Sequence, residues 1–596
     1  MQNPRAEYES RLATRKALSA AKERVHIRIG NAKLAAVIAG LIVVALWFGG
    51  HHLSGYWVLA PAGIYAVLAF AHERVLRVRN RANAAANFYA RGIARMDDRW
   101  AGSGDTGERF RDAKHVYAED LDLFGQGGLF DLLCAARLPM GQDRLAQWLL
   151  SPSPAAAILE RQRTIAELRA NLDLREELAV AGEELRPRFA AESLAGWAEG
   201  APAMPRGAWP RIAAVALAAC ALATFVFLLA ARDYRPLAAT LFIEALVLSR
   251  WHRKASAVAD ALQSNAEGIE LFARILARIE RESFSSERLR ALAATLRSGP
   301  VAASQAIAAL ARIAYWMDGR HGYLMKLLEL PILYTVQTVL AADQWRRRHG
   351  ASVRAWIEST GEMEALLSLA GYSFEHPGDP FPEIAPAGSG LLFAAEEMGH
   401  PLIPAAQCVR NSLRLDGASQ LLLISGSNMS GKSTLLRTVG INAVLAMAGA
   451  PVRATSLRLS PLRLGTRIRS TDSLQEGRSN FYTEILRIRQ VYDLARGPQP
   501  LLFLFDELLE GTNSKDRRTG AEGLLAAMLA RGAMGIVSTH DLALTEITQS
   551  LGPRARNRHF QDYVEQGKMR FDYKLRDGVV ARSNALELMR LIGLDV

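Results

Sequence analysis

Eight residues, Gly426-Ser427-Asn428-Met429-Ser430-Gly431-Lys432-Ser433, fit the spacing G-x-x-x-x-G-K-[ST] at every position. The apolar run Leu421–Ser425 precedes them and the helix-compatible stretch Thr434–Met447 comes after. Glycines so placed let successive backbone N–H groups wrap a polyphosphate, and a helix starting at the loop adds a favourable dipole. The pattern predicts that Gly426 to Thr434 hold ATP, with Lys432 on its β- and γ-phosphates and the Ser433 hydroxyl on Mg²⁺.

A second element is Leu501-Leu502-Phe503-Leu504-Phe505-Asp506-Glu507. Five apolar residues predict a buried strand, and two carboxylates at its tip are costly unless they leave the strand for a metal site. Asp506 is placed to hold Mg²⁺, and Glu507 to orient or deprotonate an attacking water. A third strand, Gly535–Thr539, carries His540 at its tip, within reach of a γ-phosphate or that water. Lys432, Glu507 and His540 are thus the expected catalytic set, with Ser433 and Asp506 on the metal. Glu507 and His540 together form the pattern of the ABC-type ATPases.

These motifs need a frame. From about Phe381 short apolar runs alternate with helical patterns, which predicts an α/β domain around a central sheet. Residues 110–208 and 253–370 read as mostly helical, including Leu121–Leu133, Leu145–Leu150 and the long run Ala255–Arg281. Four further runs are apolar on all sides: Leu34–Gly49, Tyr56–Ala71, Ile212–Ala231 and Pro236–Ser249, the last broken only by Glu244. Such runs are hard to bury in a water-soluble fold, and a spanning helix needs roughly 20 apolar residues. They predict two transmembrane hairpins. Trp47, Tyr56 and Trp57 sit near the first turn, as interfacial aromatics do. Arginines crowd the N-terminus, the flanks of 72–211 and the stretch after 250, which puts the large polar parts in the cytoplasm of a cell bounded by an inner (cytoplasmic) membrane. Glu244 is expensive in lipid and is expected against a partner helix, against water or near the membrane surface. The formal net charge of +12 suits nucleic acid or an anionic membrane face. Cys134, Cys220 and Cys408 form no metal or pairing pattern, which fits a reducing compartment.

The motifs resemble those of the MutS family. Asn428-Met429 inside the glycine loop is distinctive, and Thr471-Asp472-Ser473-Leu474-Gln475-Glu476-Gly477-Arg478-Ser479-Asn480-Phe481 is similar to the family's segment between its two nucleotide motifs. Asp506-Glu507-Leu508-Leu509-Glu510-Gly511-Thr512-Asn513-Ser514-Lys515-Asp516, then Ser538-Thr539-His540, and then Phe571-Asp572-Tyr573-Lys574-Leu575 with Gly578 resemble its remaining blocks. Leu138-Pro139-Met140-Gly141, Leu145 and Trp148-Leu149-Leu150 look like the start of its core domain. The resemblance implies a homodimer with two composite ATP sites. In it, Ser479 reaches the nucleotide of the opposite subunit, and the turn of Gly511, Thr512, Asn513 and Ser514 crosses the interface. Asn480 and Glu510 depart from the family's usual Thr and Arg. The family's mismatch-recognition and connector domains have no counterpart, and the single Phe-x-Glu, Phe381-Pro382-Glu383, lies beside the wrong domain.

The chain is therefore expected to divide into a basic segment 1–33, a transmembrane hairpin 34–72, a helical MutS-core-like region 73–208, a second hairpin 209–251, a helical lever region 252–380 and an ABC-type α/β ATPase domain 381–596. The expected function is a membrane-anchored ATPase that couples hydrolysis to lever movement, on DNA without mismatch specificity. The alternative is a membrane-bound ATPase acting on a protein or lipid partner. An ABC transporter fits less well, because no Leu-Ser-Gly-Gly-Gln signature is present and the hairpin turns are short. A soluble repair factor fits only if the apolar runs do not span lipid.

Overall fold

The computed structural model describes residues 3–50, 54–202, 204–205, 207, 209–247, 249, 266–319, 333–386, 388, 390–469, 480–510, 512–565 and 568–580. Most of the chain is helical, and two sheets of mixed α/β character occupy its C-terminal region.

The expected boundary at 33/34 falls inside a single helix, α1 (Pro4–Gly50), and that at 72/73 inside α2 (Leu59–Met96). The 47 residues of α1 make a rod about 70 Å long. The two helices pair antiparallel, and polar contacts mark the register of their distal halves. Ser19 donates to Asn83 at 2.5 Å, Arg79 to Glu23 at 2.8 Å, and Arg5 pairs with Asp97. Near the turn the pair stays apolar outside as well as inside: Leu41, Phe48 and Val67 are each more than three-fifths exposed.

Residues 97–128 are irregular, with one short 3₁₀ turn, so the helix expected over 121–133 is confined to α3 (Leu129–Leu133). Asp122, Gly125 and Gly127 take positive φ, which breaks the helical pattern there. A helical body comes next, built from α4 (Pro139–Leu150), α5 (Ala155–Leu168), α6 (Leu172–Leu185) and α7 (Ala191–Glu199). Beyond it lie α8 (Trp209–Ala231) and a helix α9 over residues 235–247, joined by a turn at Arg232. Glu244 is fully buried within the protein, and both its carboxylate oxygens lack a hydrogen-bond partner among the described residues. Then come α10 (Ala266–Arg281), α11 (Glu287–Arg297) and α12 (Ala303–Gly319); residues 255–265 of the expected 255–281 helix lie outside the described residues. The 42-residue helix α13 (Tyr334–Glu375) runs through this body and is almost wholly buried from Ile357 onward.

Among the described residues, Pro4–Gly49, Gly55–Met96 and Trp209–Ala231 are long and apolar enough to cross a membrane. The fourth expected run is helical in its described part, over residues 235–247.

The last residue of α13 binds the first hairpin. The Glu375 carboxylate is fully buried and takes both the Nε and an Nη of Arg95, at 2.6 and 2.5 Å, and the Tyr8 hydroxyl at 3.2 Å. Tyr8, Phe88, Tyr89, Leu172 and Phe374 pack around this pair. The polar half of the hairpin is therefore docked on the helical body.

The C-terminal region starts with β1 (Glu383–Ile384), β2 (Leu392–Met398) and β3 (Asn411–Asp416), which join β5 (Ser456–Leu459) in a four-stranded sheet of order β1-β5-β2-β3. The larger sheet has the order β10-β9-β4-β8-β7-β6. Its strands are β4 (Leu421–Ser425), β6 (Arg463–Arg467), β7 (Leu501–Asp506), β8 (Met534–Thr539), β9 (Ala555–Glu565) and β10 (Lys568–Asp577). All neighbours in it are parallel except β9 and β10. Every residue of β4, β7 and β8 is buried, as parallel strands covered on both faces require. Alternation sorts the side chains. Leu422, Ile424, Leu502 and Leu504 share a core with α14 (Lys432–Ala448), while Leu421, Leu423, Phe503 and Phe505 pack with α15 (Asn480–Leu494) and α16 (Ser514–Ala530).

Breaking the Arg95–Glu375 pair tests the docking of the hairpin. Glu375→Leu leaves Arg95 buried without a counter-charge and should cost about 3–5 kcal/mol, with most of that recovered by the double variant Arg95→Leu/Glu375→Leu. The midpoints of urea unfolding in detergent check this; a single variant as stable as the wild type contradicts it.

Candidate functional site

Strand β4 ends at Ser425, and after the six residues Gly426 to Gly431 the chain enters α14. The loop between them turns through Met429 (φ 68°) and Gly431 (φ 100°). A side chain on Gly431 would meet the Tyr573 ring at 3.0 Å, and one on Gly426 would meet Ser430 Oγ at 2.8 Å, so both positions need glycine. Gly431 caps α14 without a side-chain bond, which leaves the first N–H groups of that helix free for an anion. Lys432 is buried and folds back over the loop, its Nζ donating to the carbonyls of Gly426 and Ser427 at 2.8 Å each. Burial lowers the pKa of this ammonium, and the nearby charges of Glu507 and Asp506 offset part of the drop.

The loop fits a bound polyphosphate on its own terms. Ser427 Oγ and Ser430 Oγ are buried and have no partner among the described residues, so the loop is polar beyond its internal needs. A cavity of 530 Å³ opens against it. Asn428, Met429, Gly431, Lys432, Ser433 and Thr434 line one side, together with Glu507. Met398, His400, Ile403 and Val409 form a largely apolar wall. Burial holds His400 down to about 4, so this imidazole is neutral at physiological pH. The sequence reading missed this wall; the apolar residues around Gly399-His400-Pro401 were its only signal.

Parallel pairing of β7 with β8 aligns Asp506 with Ser538. Asp506 is buried and accepts from Ser538 Oγ, while Glu507 N–H donates to the Ser538 carbonyl at 3.1 Å. Beyond Asp506 the chain turns sharply, with Glu507 and Leu509 both at positive φ (53° and 57°). Non-glycine residues in that region cost on the order of 1–3 kcal/mol each, and such strain persists only where neighbours enforce it. The turn aims Glu507 at the cavity and brings it to His540, with Nδ1 and Oε1 3.1 Å apart. Burial pushes the Glu507 carboxyl up, but hydrogen bonds with Glu510 and His540 and the Lys432 charge outweigh it and hold it below the usual range. Glu510 is pushed up by burial and by Glu507. The pair thus keeps the charge on Glu507. Donor atoms of Glu507, Glu510 and His540 all lie within 4.8 Å of one another.

Lys432, Ser433, Glu507 and His540 are therefore brought together as the motifs imply, with Asp506 directly behind. Thr512, Asn513 and Ser514 are not among the cavity's lining residues. Asn513 instead caps α16, its side chain accepting from Asp516 N–H at 2.9 Å. Ser479 and Gly511 lie outside the described residues, as does the segment 471–478.

Residues 422–595 match the family described as MutS domain V. The match is confined to this C-terminal part of the chain, which is similar to MutS-family proteins. The chain is 36% identical over 203 residues to the endonuclease MutS2 of Thermus thermophilus, a match covering 33% of this chain and 25% of that protein. It is 34% identical over 244 residues to the DNA mismatch repair protein MutS of Geobacillus kaustophilus, over 40% of this chain and 26% of the relative. The chain thus spans about a quarter of the length of these relatives.

Two substitutions would separate nucleotide binding from chemistry at this site. Lys432→Ala should abolish ATP binding, and Glu507→Gln should keep it while slowing hydrolysis about 100-fold or more. Equilibrium binding of a fluorescent ATP analogue and steady-state phosphate release check both; unchanged turnover in Glu507→Gln removes that residue from its role.

Proposed function

We propose that this protein is a membrane-anchored MutS-like ATPase whose nucleotide state moves its long helices, and that it acts on DNA without reading mismatches. The observation that carries the reading is the convergence of Lys432, Ser433 and Glu507 on one cavity, with His540 against Glu507, beside a loop with orphaned serine hydroxyls. In this reading the loop holds the phosphates of ATP, and Met398, Ile403 and Val409 take the base. Ser433 and Asp506 hold Mg²⁺, which supplies charge neutralisation on the β- and γ-phosphates when bound. Glu507, kept ionised, accepts a proton from the attacking water, and His540 fixes its orientation.

Dimerisation across the site is supported by its surroundings. Met429 is 85% exposed, and Tyr482, Ile485, Leu486 and Leu542 are exposed on the same domain. Exposed apolar residues in such number fit a partner surface. A second copy would cover them and, through Ser479, Thr512, Asn513 and Ser514, complete the site.

Membrane anchoring is supported by the apolar stretches of α1, α2 and α8, of which at most 11% is buried within the chain. The basic residues Lys22, Arg24, Arg28, Lys33 and Arg74 flank the first hairpin on the same side as the helical body. That placement fits a cytoplasmic ATPase on the inner membrane. DNA as the substrate is supported by the positive charge and by the names of the relatives, a mismatch repair protein and an endonuclease. A protein partner is the second reading, favoured by the share of the positive charge that sits beside the apolar helices.

Both parts are testable on the purified full chain. It should be monodisperse only in detergent and should aggregate when detergent is removed; a stable, monodisperse protein in plain buffer contradicts anchoring. Affinity for duplex or branched DNA should fall steeply as salt rises, as phosphate contacts demand. No binding at low salt favours the protein partner.

A further inference from the structure

The turn that carries Glu507 is not held by its own residues. Arg467, the last residue of β6, is about nine-tenths buried and donates through one Nη to the carbonyls of Asp506 and Glu507, the second at 3.1 Å. Its other Nη faces Glu484 of α15 at 3.5 Å. Glu484 is itself almost fully buried and accepts from Leu509 N–H at 2.8 Å. One ion pair therefore grips the strained turn at three points: two carbonyls before Leu508 and one N–H after it. The residues beside Arg467 are also fixed. Thr466 Oγ1 donates to the buried Asp120 at 2.6 Å, and Ile468 N–H donates to the same carboxylate at 3.1 Å.

We infer that Arg467 and Glu484 are positioning residues that set the direction of the Glu507 side chain, and that α15 transmits its position to the reaction through Glu484. The inference rests on the proposed ATPase activity. A buried Arg–Glu pair made only for stability would need no contact with this backbone, yet both partners bond to it: Arg467 at two carbonyls and Glu484 at one N–H. Lysine cannot replace the arginine here, because a single ammonium cannot span two carbonyls and a carboxylate in the same fixed geometry. The link has a direction along the chain as well. Glu484 is five residues from Ser479, the residue that the family resemblance places at the opposite subunit's nucleotide. A shift at the start of α15 would reach Glu507 through one side chain.

The test uses the full chain in detergent, with ATP binding and steady-state hydrolysis measured on the same preparations. Arg467→Lys should bind ATP within about two-fold of the wild type while kcat falls about 100-fold, the usual scale for a reacting group misplaced by about 1 Å. Glu484→Gln keeps an acceptor for Leu509 N–H and should retain most of kcat, whereas Glu484→Leu should lose it to the same degree as Arg467→Lys. A folded Arg467→Lys with wild-type kcat overturns the inference. So does a loss of ATP affinity in proportion to kcat, which would mark a merely structural role. If Arg467→Lys does not fold, the contrast between Gln and Leu at position 484 decides, and equal kcat in those two overturns the inference. A wild-type chain without any turnover would instead remove the proposed function, and this inference with it.

Discussion

The parallel register of β6, β7 and β8 decides where the two carboxylates stand. β7 has nothing but apolar side chains before Asp506, so the strand itself cannot orient the Asp506-Glu507 tip. Its neighbours do so. β8 aligns Ser538 with Asp506 and offers one hydroxyl and one carbonyl; β6 aligns Arg467 with Phe505 and reaches over the tip. A register shift of one residue would turn every side chain of β7 to the opposite face and carry Asp506 away from both. The burial of both faces of β7 makes such a shift prohibitive. The site's chemistry thus rests on packing of Phe503 and Phe505 against α15 and α16 on one side, and of Leu502 and Leu504 against α14 on the other.

The same domain is tied to the far end of the molecule by the buried Asp120 and by half-exposed ion pairs of Asp122. Asp120, in the irregular segment after the first hairpin, binds the end of β6, and Asp122 pairs with Arg437 of α14 and with Arg469. Upstream, the same segment leaves α2 at Met96, and Arg95 is clamped on Glu375 at the end of α13. Residues 95–122 therefore connect the base of the apolar hairpin with both the sheet and the glycine loop's helix. Helix α13 and this segment form two structural routes between the apolar helices and the cavity at the glycine loop.

Much of the site was legible in the sequence because its motifs are local. The glycine loop, the strand ending in Asp506-Glu507 and the strand ending at His540 each fall within eight residues, and each has the element the pattern requires. The parts that could not be read depend on contact between distant segments. Arg467 lies 39 and 40 residues from the carbonyls it binds, and Glu484 lies 25 from Leu509. No periodicity marks either residue. The helix expected over 121–133 failed for a related reason: its leucines are apolar because they fill the core between the two regions, whereas Asp122, Gly125 and Gly127 fix a loop there. The continuity of α1 across residue 33 was equally invisible, since the change from basic to apolar composition marks a change of environment rather than of secondary structure.

The central claim is that an ATP-hydrolysing site and membrane-spanning helices belong to one molecule. Phosphate release from ATP, measured on membranes washed with alkaline carbonate, tests it most directly. The account predicts that membranes bearing the wild-type chain keep their activity through the wash and that membranes bearing Lys432→Ala show none above background. Activity that leaves with the wash, or a washed membrane that retains the chain but hydrolyses no more ATP than the Lys432→Ala control, would contradict it.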